Sequence, residues 1–92
     1  MAVTVRIPTQ LRSLSGDAAE VKVDAATVAD ALKALEAQHP GFGERLFDEK
    51  GELRRFVNVF VADEDIRFMQ GIDTALDDGT TVSIVPAVAG GS

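Results

Sequence analysis

Phe56-Val57-Asn58-Val59-Phe60-Val61 is the run on which the fold turns. It is built from β-branched and aromatic residues, which suit a pleated, half-buried surface. Successive side chains on a strand point to opposite faces, so Val57, Val59 and Val61 share one face and Asn58 and Phe60 the other. Three valines in line need an apolar layer behind the sheet. With the valines turned toward that layer, Phe60 stands on the outer face, where a large apolar side chain calls either for a partner or for cover from the domain's own loops.

Reading outward from this strand gives the rest of the order. Ala62-Asp63-Glu64-Asp65 is expected to turn the chain, and Ile66-Arg67-Phe68 to form a short edge strand. Met69 to Leu76 reads as a compact connection and Asp77-Asp78-Gly79-Thr80 as another turn. Thr81-Val82-Ser83-Ile84-Val85 is the last strand, ended by Pro86. At the other end, Val3-Thr4-Val5-Arg6-Ile7 alternates with period two before Pro8, sending Val3, Val5 and Ile7 inward. Glu20-Val21-Lys22-Val23 alternates again, after a long connection that holds the turn residues Ser15-Gly16-Asp17.

A helix is predicted from Val28 to Gln38. Thr27 suits its N-cap, because the hydroxyl can accept from the amide three residues on, where Asp30 also meets the positive helix end. Val28, Ala31, Leu32 and Leu35 recur at three- and four-residue spacing and form the buried stripe, leaving Asp30, Lys33 and Glu36 outside it. Pro40 stops the helix and restricts His39 before it. His39 is the only histidine and reads as a solvated surface residue. Phe42, Leu46 and Phe47 close the end of the core, followed by the polar connection Asp48 to Glu52. The order strand, strand, helix, strand, short strand, strand is that of an α+β domain, a mixed sheet of about five strands on one main helix. Its first and last strands are expected to lie side by side and parallel in the middle.

Composition narrows the function. At 92 residues there is room for one domain. Such a domain buries only about 60–65% of its unfolded surface, which leaves little space for an internal catalytic cavity. With no cysteine, a disulfide framework, a thiolate metal site and a cysteine nucleophile are all excluded. Nine Lys and Arg against 15 Asp and Glu give a net charge of −6, the wrong sign for a nucleic-acid binder. No apolar run approaches the ~20 residues that cross a bilayer, and no cationic, apolar leader opens the chain, so no membrane role is expected and the cytoplasm is the default compartment. No convergent nucleophile and base suggest an autonomous enzyme.

The chain ends Pro86-Ala87-Val88-Ala89-Gly90-Gly91-Ser92. Folding rarely needs two glycines there. Lacking a Cβ, Gly90 and Gly91 can lie close against another protein's surface and thread a narrow active site. A frayed end or an appended Gly-Gly-Ser remnant would look the same in isolation. On the first reading residues 1–86 are the domain and 87–92 a flexible tail projecting from the sheet.

Arg55-Phe56-Val57-Asn58, Asp63-Glu64-Asp65-Ile66-Arg67-Phe68, Asp78-Gly79, Val82-Ser83-Ile84-Val85-Pro86 and Gly90-Gly91 together resemble the β-grasp, ubiquitin-like sulfur carriers of the MoaD and ThiS family. The resemblance covers nearly the whole chain. Within the family, Pro86-Ala87-Val88-Ala89-Gly90-Gly91 is most similar to the carriers of cysteine biosynthesis, whereas molybdopterin-type carriers more often read Pro-Pro-Val-Ser-Gly-Gly. It implies a carrier that binds no cofactor durably and no metal. A ubiquitin-activating-type adenylating enzyme spends ATP on the Gly91 carboxylate, and a sulfur donor then converts the adenylate to a thiocarboxylate. A pyridoxal-phosphate cysteine synthase, or another sulfur acceptor enzyme, takes the sulfur, and a metallopeptidase releases the product. Family carriers work only with the second glycine terminal, so Ser92 departs from the pattern and implies trimming, with the same metallopeptidase as the processor. Asn58, Phe60 and Val85 are the expected docking patch for the activating enzyme. The alternatives are a molybdopterin synthase small subunit, a carrier for another sulfur-containing metabolite, or a ubiquitin-like modifier that ends on a substrate lysine.

Overall fold

A computed structural model describes residues 1–86. Five strands are formed: β1 (Ala2–Arg6), β2 (Glu20–Asp24), β3 (Val57–Val61), β4 (Glu64–Asp65) and β5 (Thr81–Pro86). They line up in the order β2-β1-β5-β3-β4, so the first and last strands are neighbours in the middle of the sheet. β1 and β5 run parallel, with Val5 opposite Val82, and every other neighbouring pair is antiparallel. This is the β-grasp arrangement.

Period-two alternation sends one set of side chains to the core. Val3, Val5, Val21, Val23, Val57, Val59, Val61, Val82 and Ile84 are all buried. Against them packs α1 (Val28–Gln38), whose stripe of Val28, Ala31, Leu32 and Leu35 is buried as its spacing requires. Each such large side chain contributes about 1.5–3 kcal/mol on burial. Thr27 caps α1 as expected, accepting from the Asp30 amide at 3.2 Å. A second cap comes from far along the chain: the Val28 amide donates to the Thr74 carbonyl at 3.1 Å. The short α2 (Phe42–Leu46) closes the end of the core with the fully buried Phe42 and Leu46.

Two expectations for the chain after β3 are corrected. Ile66-Arg67-Phe68 is a 3-10 turn and not the edge strand, which lies two residues earlier as β4. The hairpin turn is only Ala62-Asp63, both with positive φ (51° and 71°), so pairing resumes at Glu64. The chain then leaves the sheet to bury Ile66. Asp65 accepts from the Arg67 amide at 2.8 Å, and the Arg67 guanidinium donates to the carbonyls of Arg55 and Val57 at 2.8 and 3.2 Å. The β1–β2 connection contains a 3-10 helix, Thr9–Ser15, which folds Leu11 into the core.

Glu36 does not simply face solvent. Its carboxylate accepts from the amides of Gly41 and Gly43 at 2.7 and 3.1 Å, tying α1 to the start of α2. His39 is half-buried and sets its ring edge-on to Phe42 with centroids 6.4 Å apart, so it too is more than a solvated residue.

Candidate functional site: the end of the central strand

β5 is held from both sides, by β1 over Thr81 to Ser83 and by β3 from Val82 to Pro86. A strand gripped on both edges is a firm root for whatever follows it. Gly90, Gly91 and Ser92 lie outside the described residues, as does the expected tail from residue 87 onward.

Asn58, Phe60 and Val85 occupy the face of the sheet opposite the buried valines. The register places Asn58 directly across from Val85, and Phe60 across from Ser83 on one side and Asp65 on the other. Val85 is 45% exposed, whereas Asn58 and Phe60 are half-buried. The three therefore share one surface beside the strand that leads to the tail. Alternation along β3 was enough to pair Asn58 with Phe60, but the position of Val85 depends on the inter-strand register.

Other exposed apolar residues stood outside the expected patch. Phe56 is 50% exposed and Phe68 84% exposed. Phe56 precedes β3 and lines a groove of about 360 Å³ with Leu11, Arg45, Arg54 and Pro86. A second groove of about 420 Å³, bounded by Arg6, Pro8, Arg12, Val85 and Pro86, runs along the other flank of the strand end. Only the alternation of Phe56 with Asn58 and Phe60 hinted at its exposure. The arginines of the two grooves come from distant parts of the chain, and no sequence spacing connects them.

Among the described residues no group of His, Cys, Asp and Glu is placed to hold a metal ion. No helix among them is long and apolar enough to cross a membrane. Buried polar side chains are accounted for locally: Thr74 donates to the Gly71 carbonyl at 2.7 Å, and the Ser15 hydroxyl to that of Ala18 at 2.8 Å.

The ThiS family model matches residues 5–91. Sulfur carrier protein CysO of Mycobacterium tuberculosis is 48% identical over 93 residues, which span 99% of this chain and 100% of that protein. A chain in the crystal structure of the Amycolatopsis orientalis BexX/CysO complex is 46% identical and superposes with a TM-score of 0.90, covering 97% of this chain and 99% of that one. Small archaeal modifier protein 3 of Haloferax volcanii is 46% identical over 68 residues, 74% of this chain and 73% of its own length. The fold and the full-length match thus agree, and the chain belongs to the ThiS family as a sulfur carrier, not an enzyme, closely related to actinobacterial CysO.

Proposed function

We propose that Gly91 carries the sulfur, as a thiocarboxylate, and that the acceptor pathway makes cysteine. The observation that carries this reading is a family match running through Gly91 in a chain whose central strand ends at Pro86, five residues earlier. Residues 1–86 serve as the docking body and residues 87–92 as the segment that reaches the partner's active site. The chain contributes no cysteine of its own, so the sulfur has to arrive from a donor.

The chemistry follows from the poor leaving group of a carboxylate. A Gly91 carboxylate oxygen attacks the α-phosphate of ATP on an adenylating enzyme. An acyl–phosphate bond forms and pyrophosphate departs. A sulfur nucleophile from the donor then attacks the acyl carbon, the carbon–oxygen bond to AMP breaks, and the sulfur stays on Gly91 as the nucleophile for the next enzyme. A pyridoxal-phosphate cysteine synthase supplies the electrophilic acceptor, whose carbon the sulfur joins to give a Gly91 thioester. An acyl shift then breaks the bond from the Gly91 acyl carbon to sulfur as the new amino group takes that carbon, and a metallopeptidase uses water to cut the resulting amide after Gly91 and release cysteine. The cytoplasm is where these partners and ATP meet. Gly90 and Gly91 add reach without bulk. Ordering such a segment costs roughly 1–2 kcal/mol per residue, which docking of the body offsets.

Ser92 blocks this cycle until it is removed. With Ser92 attached, a free carboxylate lies at least one residue, roughly 3.5 Å, beyond Gly91, and an error of about 1 Å is already costly for a positioned reaction. Pyrophosphate exchange with the cognate adenylating enzyme is expected to be strong for protein ending at Gly91 and near background for protein ending at Ser92. Incubating the trimmed form with ATP, that enzyme and sulfide should raise its intact mass by the difference between sulfur and oxygen. An unchanged mass argues against the carrier role, and equal exchange by the two forms argues against gating by Ser92.

The likeness to a small archaeal modifier protein favours one second reading, in which the same adenylate ends on a lysine of another protein. Lysine-linked conjugates without thiocarboxylate would select it.

A further inference from the structure

The two grooves that flank the end of β5 meet at Pro86 and together hold Arg6, Arg12, Arg45 and Arg54. These are four of the six arginines of a chain whose net charge is −6. They come from β1, from the 3-10 helix after it, from α2 and from the segment before β3, so only the fold gathers them. Two carboxylate residues share the grooves. Glu20 approaches Arg6 at 3.9 Å on the open surface, and Glu44 offers Arg54 its backbone carbonyl, which accepts from Nε at 3.1 Å. Among the described residues, Arg12, Arg45 and Arg54 make no salt bridge. Arg12 is instead anchored by its Nε, which donates to the Ile7 carbonyl at 3.1 Å.

Within these two grooves four guanidinium groups stand against two carboxylates, an arginine collar around Pro86 whose outer side borders Glu36, Asp48, Glu49 and Asp63. Guanidinium groups suit carboxylates because their planar fork can donate two parallel hydrogen bonds. The remaining surface, which carries most of the 15 acidic residues, would be repelled by the same acidic partner. Such a charge separation turns the molecule during encounter, so that the tail end leads. We infer that this arginine collar docks on an acidic rim around the tail-receiving channel of the adenylating enzyme, and that it orients the carrier as it approaches. The inference rests on the carrier reading and names the surface of the partner that the reading requires.

Single charge reversals in the full chain ending at Gly91 test it. Arg45→Glu and Arg6→Glu are compared with Lys33→Glu, which makes the same change in net charge at an exposed position of α1, outside the collar. Each collar variant should lower kcat/KM for pyrophosphate exchange by about tenfold or more at low salt while leaving kcat near wild type, because rim charges act on encounter. The salt dependence of kcat/KM should flatten in the collar variants and persist in Lys33→Glu. Arg45→Gln, which removes charge without adding any, should fall between wild type and Arg45→Glu, and it replaces Arg45→Glu if that variant melts early. Collar variants that match Lys33→Glu in rate and salt slope, or a wild-type rate that rises with salt, would overturn the collar and leave the carrier reading intact. Absence of exchange with the wild-type chain ending at Gly91 would instead remove the carrier reading, and the collar with it.

Discussion

At Phe60 the backbone sets a large ring on the outer face of the sheet, between Ser83 and Asp65, where it is only half covered. A ring in that position adds less to the core than a fully buried one, and on the docking proposal it is the apolar anchor for the adenylating enzyme. Phe60→Ala is therefore expected to leave the protein folded and to weaken binding to the adenylating enzyme by about 1–3 kcal/mol, measured by titration calorimetry beside a thermal melt. Loss of the fold, or unchanged binding, would show that the ring serves the protein's interior. Two residues on, exposed Ala62 holds φ at 51°, a left-handed conformation that costs an L-residue roughly 1–2 kcal/mol. Asparagine tolerates this conformation and is favoured in two-residue hairpin turns, so Ala62→Asn should stabilise by about 0.5–1 kcal/mol. A higher urea midpoint at constant m-value checks it.

Among the elements, α1 and α2 pack in one core and are tied together in addition by the Glu36 carboxylate. Glu36 takes two amides at the start of α2, and hydrogen bonds to a charged group contribute about 1.5–3 kcal/mol. Glu36→Ala should cost about 2–3 kcal/mol in chemical denaturation, allowing for its partial exposure. Gly43 allows the close approach: a Cβ there would fall 2.6 Å from Glu36 Oε1, so Gly43→Ala has to push the carboxylate aside. The two substitutions remove the same contact, and the double variant should lose less than the sum of the singles. Additive losses would show that Glu36 stabilises by some other route. The N-terminus of α1 was readable from Thr27 and Asp30 because a cap is made within four residues. The Glu36 bridge was not, since the two amides that donate to it reach it only after the chain has turned past Pro40.

For the molecule as a whole, β5 is both the middle of the sheet and the root of the reactive end, so the same strand serves stability and function. Ile84→Ala, which opens a cavity under that strand, should cost about 2–5 kcal/mol and lower the melting temperature. Gly91→Ala lies beyond the strand and should leave the melting temperature unchanged while slowing sulfur transfer. Calorimetry paired with thiocarboxylate formation separates the two effects. A Gly91→Ala variant that transfers normally would remove the need for an unbranched terminus, and one that melts early would tie the tail to the fold.

Short-range physics explains what the amino-acid sequence determined by itself. Period-two alternation set the buried valines, three- and four-residue spacing set the stripe of α1 from Val28 to Gln38, and Thr27 marked its start. The order of elements, with valine-rich first and last strands, was enough to place β1 beside β5, and the terminal glycines pointed to carrier chemistry. Tertiary structure decided the rest. The edge strand moved to Glu64–Asp65 because two left-handed residues close the hairpin and Ile66 is drawn into the core. Val85 came to lie opposite Asn58 through inter-strand register, and four arginines from separate parts of the chain were gathered around Pro86 by the folding of the elements that carry them. Alternation, capping and helical spacing act over a few residues and can be read along a line, whereas register, burial and the summation of charge depend on which distant segments the core brings together.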